Sequence, residues 1–546
     1  MYLVIVDTTQ IQPYVFGSNR LRENTGASQL VSEATETWAL KTVQSVAARN
    51  NIKVDGMLDS TKRIEDSGTN LAAEVLYAGG GNVIVLFRDE ADAKIFTRQL
   101  SRKTLTDAPN LQLVLAQQPF DWNQSLYEQV EATFKKLAEE KRSRLVTAPL
   151  LGLGVTVMCR STGLPAVGVT PPVGRDLGYP ASAEIAAKLD AAPAAHKRLQ
   201  EMFAAALDDT YSFPRDFDEL GRSAGEHSYI AIVHADGDGI GKRIQEIGKC
   251  YQKPEQNREY ITTLRQFSGA VERAAQSALL NILVRLKKKI DLTTGLLIHK
   301  SVQGKELTRI ELKREDDQWL LPFRPVVFGG DDVTFVCDGR LGVSLAVEYL
   351  RQFEIQTAKL PDGKGQATAC AGIAIVKTHY PFARAYGLAD ELCKSAKSYR
   401  RKQNLTGSCL DWHFAMSGLA GGIEEIRRRE YTANEGHLTL RPLTLNKNTK
   451  ESHRTWDVVQ QGITTFQGDD WAGRRNKVKA LRDTLREGTA AVKQFLTKFN
   501  ESKNLPDTEP SMANWPKEGW HGGYCGYFDA IELVDGFIPL EGEQTR

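Results

Sequence analysis

Two patterns of apolar residues alternate along the chain. Short, nearly unbroken apolar runs predict β-strands at Leu3–Val6, Val83–Phe87, Ile230–Val233, Val333–Val336 and Ala369–Val376. Longer stretches carry apolar residues at helical spacing. Thr25–Arg49 does so through Leu30, Val31, Ala34, Trp38, Val43 and Val46, and Tyr260–Lys289 through Leu264, Phe267, Val271, Ala275, Leu279, Ile282 and Leu286. Leu341–Phe353 and Pro381–Lys397 predict two more helices, and Ala181–Leu207 an Ala-rich helix broken at Pro193. Pro149 to about Pro180 is rich in Gly and Pro and predicts irregular backbone. Asp470–Phe499 predicts one long charged amphipathic helix, and Asn500–Gly526 a loop.

These elements recur in the same order. Strand Leu3–Val6 runs into Asp7-Thr8-Thr9-Gln10-Ile11, and strand Ile230–Val233 is followed by Asp236-Gly237-Asp238-Gly239-Ile240. Later in each copy a glycine turn precedes a strand: Ala78-Gly79-Gly80-Gly81-Asn82 in the first, Phe328-Gly329-Gly330-Asp331-Asp332 in the second. The repeat predicts an α+β chain with two ferredoxin-like β-α-β-β-α-β palm domains and helical domains between and after them. The expected divisions are a first palm over 1–148, a linker and helical domain over 149–222, a second palm over 223–405, and a mainly helical domain over 406–546.

Composition adds little. A chain of 546 residues suggests roughly three or four domains. The formal net charge of +2 neither demands nor excludes a nucleic-acid partner, and the basic runs at 285–289 and 400–402 read as solvated faces. No apolar run is long enough to cross a bilayer, so no membrane partner is expected, and the N-terminal run reads as a strand rather than a signal peptide. Seven scattered cysteines without a CxxC pair point to reduced thiols in a cytoplasm, with no zinc expected.

The chemistry concentrates at Gly329-Gly330-Asp331-Asp332. Two glycines permit a tight turn and close ligand approach, and adjacent carboxylates there suit a hard cation, Mg²⁺ or Mn²⁺. Taken alone, the segment is equally a plain Gly-Gly hairpin with solvated acids. Asp236 and Asp238 change that balance, because they follow a strand expected to neighbour the hairpin, so that Asp236 faces Asp331. Carboxylates from two strands bracketing two divalent metals suit in-line phosphoryl transfer. Gly237-Asp238-Gly239-Ile240-Gly241-Lys242-Arg243 lacks the spacing of a phosphate loop, although Lys242 could still meet a phosphate. No histidine is followed by Asp and there is no HExxH; His234 is near enough in sequence to reach the site.

Several stretches together resemble the large, polymerase-like subunit of type III CRISPR effector complexes (the Cas-ten family, Cmr-type branch). They are 7–16, 25–30, Tyr77-Ala78-Gly79-Gly80-Gly81-Asn82, Phe213-Pro214-Arg215-Asp216-Phe217-Asp218-Glu219-Leu220, Ala235-Asp236-Gly237-Asp238, Gly329-Gly330-Asp331-Asp332, 371–375 and 389–397. The resemblance implies condensation of ATP into cyclic 3′–5′ oligoadenylates in antiviral defence. It implies Asp331, Asp332 and Asp236 as catalytic metal ligands, with Asp238 a weaker candidate, and Gly329, Gly330 and Lys397 near the nucleotide. It further implies a non-catalytic first palm facing the second, where Gly26, Ala27, Ser28, Gly79 and Gly80 help seat a second ATP; there Thr9, Gly81 and Asn82 stand for Asp238, Asp331 and Asp332. Effector subunits with guide and target RNA, or a stand-alone defence system, are the implied partners. The chain starts directly at the first palm, without the HD nuclease domain of many members, so DNA cleavage is not expected. Cys159 stands without a paired cysteine where many members bind zinc. Two other readings stay open: a GGDEF-like diguanylate cyclase, and a non-catalytic scaffold that binds RNA and protein.

Overall fold

The computed structural model describes residues 1–68, 70–143, 154–172, 177–220, 228–301, 303–415, 421–447, 450–468, 471, 474–500, 504–510 and 512–540. The expected domain edges at 148/149 and 222/223 lie outside these residues, as does Asp470, the expected start of the long helix. The chain forms two compact units. One comprises Met1–Met202, Gly239–Arg273 and Lys359–Gly365; the other comprises Phe203–Asp238, Ala274–Ala358 and Gln366–Arg546.

The first unit is built on an antiparallel sheet of β1 (Tyr2–Thr9), β2 (Ala73–Gly79), β3 (Asn82–Phe87) and β4 (Gln112–Pro119), in the order β2-β3-β1-β4. Helices α1 (Ile11–Phe16), α2 (Leu21–Thr35), α3 (Thr37–Val46), α4 (Glu90–Asp107), α5 (Leu126–Ser143), α6 (Ala183–Met202) and α7 (Ile240–Lys249) surround it, with the first half of α8 (Asn257–Lys287). Leu3, Ile5, Ile84, Leu86, Val114 and Ala116 pack against Val130 and Leu137 of α5 and Ile261 and Leu264 of α8. The single helix expected over Thr25–Arg49 is two, because Glu36 leaves helical geometry (φ −116°, ψ −84°). Conversely, α6 does not break at Pro193. It runs through the proline with Ile185, Lys188 and Leu199 buried on either side, and packing holds the helix where the lost hydrogen bond would weaken it.

The second unit follows the same path. β5 (Tyr229–Asp238) leads into α7 and α8, a hairpin of β6 (Phe323–Gly329) and β7 (Asp332–Asp338), α9 (Gly342–Gln356), β8 (Thr368–Lys377) and α10 (Phe382–Gln403). The strand order β6-β7-β5-β8 repeats that of the first sheet. β9 (Cys409–Ala415) then adds in parallel to β8, and Leu443–Thr444 adds beyond it. The region after 406 thus first completes the sheet and then forms helices. Its α11 (Ile423–Glu430), α12 (Trp456–Gln467), α13 (Arg475–Glu487) and α14 (Thr489–Asn500) accompany a small sheet that includes 520–521 and 524–525 within the expected loop. The long helix expected over Asp470–Phe499 is divided at Gly488, whose φ of 100° ends α13.

Candidate active site

The acidic corner draws on two adjacent strands, the turn of a hairpin and one helix of the second unit. β5 ends on Asp236-Gly237-Asp238, and β7 begins on Asp332, directly opposite Asp236. Gly330, at φ 64°, and Asp331 make the turn between β6 and β7, and Gly329 pairs with Asp332. The N–H of Gly237 donates to the Asp331 carbonyl at 3.2 Å. Asp332, not Asp331, is thus the residue facing Asp236 across the sheet, because the turn consumes Asp331.

Residues two apart on a strand share a face. His234 and Asp236 on β5, and Asp332 and Thr334 on β7, therefore look toward α10. That helix rides close to the sheet because Gly372 on β8 has no side chain: a Cβ there would lie 2.0 Å from the Ala389 carbonyl oxygen and 2.3 Å from Cys393 N. The close approach brings Lys397 Nζ to 2.5 Å from Asp236 Oδ2 and 3.3 Å from the Gly237 carbonyl.

Lys397 is outnumbered at this corner by the carboxylates of Asp236, Asp331 and Asp332. Burial, reinforced by the neighbouring Asp236 carboxylate, pushes both Asp331 and Asp332 up to about 7. Burial alone would lower Lys397, but Asp236 outweighs it and the ammonium is held above its ordinary value. Asp332 Oδ1 is enclosed and accepts no hydrogen bond. An all-oxygen donor set with surplus negative charge fits Mg²⁺ or Mn²⁺. Among the described residues, no group of three or more His, Cys, Asp or Glu side chains is arranged to hold a metal ion. Mg²⁺ commonly takes only one or two carboxylates and fills its shell with water and substrate phosphates, so the residues fit a cation that arrives with a nucleotide.

The remaining candidates fall in varied settings. Asp238 is bound by Arg400 and Arg401, each at 2.5 Å, so its charge is matched inside the protein. Lys242 is exposed and 3.9 Å from Glu246. In the first unit, Gly79 ends β2 and pairs with Asn82, and Gly80 and Gly81 form the β2–β3 turn (φ 57° and 85°). Gly26 and Ala27, expected to seat a nucleotide, are enclosed. A Cβ on Gly26 would lie 1.7 Å from the Lys188 carbonyl oxygen, so close packing of α2 on α6 accounts for this glycine; Ser28 is partly exposed. Asp7 stands opposite Asn82 and is paired with Lys141 of α5, whose Nζ also lies 3.5 Å from the Thr8 carbonyl. This repeats, within the first unit, the contacts of Lys397 with Asp236 and Gly237.

Sequence reasoning treated the 400–402 run as a solvated face and missed Arg400 and Arg401. The usable signal was helical spacing, since 397, 400 and 401 lie within one turn and share a side of a helix. Thr334, Asp390 and Lys141 gave no such signal.

Residues 229–406 match the family described as "Cas10/Cmr2, second palm domain". No match was found among curated protein sequences. Solved structures of a Csm1–Csm4 cassette are similar over nearly the whole chain. The complex with pppApApA has a TM-score of 0.52 at 11% identity, covering 98% of this chain and 69% of the other. The apo cassette gives 0.51 at 12% identity and the AMPPNP complex 0.50 at 13%, each with the same coverage. Among the described residues no helix is long and apolar enough to cross a membrane. Residues 229–406 are thus a palm-type domain of the Cas10/Cmr2 kind, carried in an α+β chain whose fold is similar to that of one chain of the Csm1–Csm4 cassette.

Proposed function

We propose that this chain is a metal-dependent nucleotidyltransferase that joins ATP through 3′–5′ phosphodiester bonds into cyclic oligoadenylate, as part of an RNA-guided or stand-alone antiviral defence system. The observation that carries the reading is the convergence of Asp236, Asp331 and Asp332 with Lys397 at one corner of the palm sheet. The similar cassettes solved with pppApApA and AMPPNP support adenine nucleotides as the class to test first, and a Csm4-like subunit as a partner.

In this reading Asp236, Asp331 and Asp332 hold Mg²⁺ or Mn²⁺. Such a bound pair would activate the attacking 3′-hydroxyl and neutralise the departing pyrophosphate. Lys397, which balances Asp236 in the structure, supplies a cation to the triphosphate. The turn at Gly330 leaves room for a nucleotide, since nothing lies within 4 Å of the position a Cβ would take. Asp238, held by Arg400 and Arg401, fixes the end of α10 to the end of β5 and acts as a positioning residue rather than a ligand. In the first unit, the self-neutralised Asp7–Lys141 pair and Asn82 in place of an acid support a non-catalytic palm.

The test is to incubate the purified chain with labelled ATP or GTP and Mg²⁺ or Mn²⁺, with and without RNA, and resolve the products. A cyclic adenylate that disappears in Asp331→Ala/Asp332→Ala is the expected result. Cyclic di-GMP would replace this reading with a diguanylate cyclase. Stable RNA binding with no product under any condition would replace it with a scaffold.

A further inference from the structure

We propose that His234 is a positioning residue that sets the orientation of the Asp332 carboxylate and is itself seated against Tyr386 of α10. The inference rests on the metal-site reading above and adds a residue that the reading does not need. His234 lies on β5, two residues before Asp236, and its ring is 3% exposed. Its Nδ1 is 3.1 Å from Thr334 Oγ1 and 3.4 Å from Asp332 Oδ1, while Nε2 is 3.9 Å from Asp390 Oδ1. The other Asp390 oxygen pairs with Lys394 at 2.5 Å, and the ring stands edge-on to Tyr386 with centroids 5.5 Å apart.

Simple space-filling does not account for this arrangement. A buried position that only needed volume would be filled by an apolar residue, as at Ile232 on the same face of β5 and at Val333 and Phe335 on β7. Here the two ring nitrogens lie near acidic groups on different elements, Nδ1 near Asp332 and Nε2 near Asp390. The enclosed Oδ1 of Asp332 accepts no hydrogen bond, and Nδ1 of His234 lies 3.4 Å from it. A neutral imidazole carries one N–H. With that proton on Nδ1, the ring can donate to Thr334 or, after a small shift, to Asp332 Oδ1, leaving Oδ2 for a cation. Thr334 sits opposite His234 in the register, which places its hydroxyl beside Nδ1. The ring also depends on Gly372, which stands beside His234 on β8 and admits the helix carrying Asp390. Groups in this outer position orient metal ligands, and their loss typically weakens metal binding or activity by about 10–100-fold.

The test measures Mn²⁺ binding directly, by the loss of the free-ion electron paramagnetic resonance signal, on the full chain with the non-hydrolysable nucleotide AMPPNP. His234→Phe keeps the bulk and removes the nitrogen; His234→Asn keeps a donor near the place of Nδ1. The expected result is about 10–100-fold weaker Mn²⁺ binding in His234→Phe, with most of it restored in His234→Asn. The ATP KM should stay within about twofold while kcat falls. Thermal melting run in parallel identifies any variant that fails to fold, and His234→Asn then carries the comparison. Wild-type Mn²⁺ affinity in His234→Phe, or equal losses in both variants, overturns the role of His234 and leaves the metal site standing. A wild-type chain that neither binds Mn²⁺ nor makes product overturns the metal reading itself, and this inference with it.

Discussion

Replacing Gly372 by alanine tests whether the acidic corner depends on how closely α10 rides over the sheet. The added methyl would sit 2.0 Å from the Ala389 carbonyl oxygen, 2.3 Å from Cys393 N and 2.9 Å from the Leu392 carbonyl carbon. All three are backbone atoms of one helix, so no side chain can swing aside to absorb the clash. Ordinary contact begins near 3.4 Å, so helix or strand must give way by about 1 Å. Neither moves freely: Ala385, Ala389, Leu392 and Ala396 on α10 and Ile373 and Ile375 on β8 are all essentially inaccessible. Overpacking of this kind costs about 1–3 kcal/mol, and with backbone on both sides the upper end applies. For a domain of this size that corresponds to a fall in Tm of about 5–10 °C. Gly387, on the same helix, is the internal control, since a Cβ there meets nothing within 4 Å. Gly387→Ala should be neutral or stabilising by up to about 1 kcal/mol from helix propensity alone. Gly372→Ala, at the helix–sheet contact, should therefore lower Tm in thermal melts, while Gly387→Ala, on the open side of the same helix, should leave it unchanged or raise it. If Gly372→Ala melts within about 1 °C of wild type, the close approach is not what places Lys397 beside Asp236.

Two other predictions concern stability. Glu74 is fully buried on β2; burial alone would raise its carboxyl, but Arg258 at 2.7 Å and Arg265 at 2.9 Å hold it below the usual carboxylate range. Glu74→Ala removes the carboxylate that both arginines share, leaving Arg258 to Glu65 and Arg265 to the Val75 and Leu76 carbonyls, and should cost about 3 kcal/mol in urea unfolding of the first unit; a loss under about 1 kcal/mol would mean that water already screens the network. His413 on β9 is buried, and desolvation together with Arg441 and Arg427 depresses it to about 3, so it is neutral when folded. A histidine that protonates only on unfolding removes stability as pH falls through its unfolded value near 6.5, by about 2 kcal/mol at pH 5. His413→Gln should flatten the urea midpoint of the second unit between pH 7 and pH 5, and an unchanged slope would refute the assignment.

Periodicity revealed elements whose character is local and missed those decided by packing. The runs at Leu3–Val6 and Ile230–Val233 could only be strands. Nothing in Thr35-Glu36-Thr37, however, signals that one helix ends and another begins there. Pro193 signals a break that packing on both sides of it cancels. The register of the hairpin was equally hidden. Two adjacent acids after two glycines do not say which one the turn will consume, and the answer, Asp331, decides which acid faces Asp236. Charge partners were hidden for a different reason, since Arg400 and Arg401 come from a helix more than 160 residues beyond the aspartate they neutralise.

The repeat, legible from the start, is most informative in its differences. Both units carry an aspartate two residues before the end of their first strand, and both deliver a lysine from the helix after the fourth strand, with the same secondary contact to the next carbonyl: Asp7 with Lys141, and Asp236 with Lys397. In the first unit the residue opposite the aspartate is Asn82, and one lysine balances one acid. In the second the opposite residue is Asp332 with Asp331 beside it, and the same single lysine leaves two carboxylates pushed toward neutral pH. A self-balanced pair needs no further ligand to persist. Three clustered acids against one lysine are costly unless cations join them, so the residual charge, more than the shared topology, is what distinguishes the two corners.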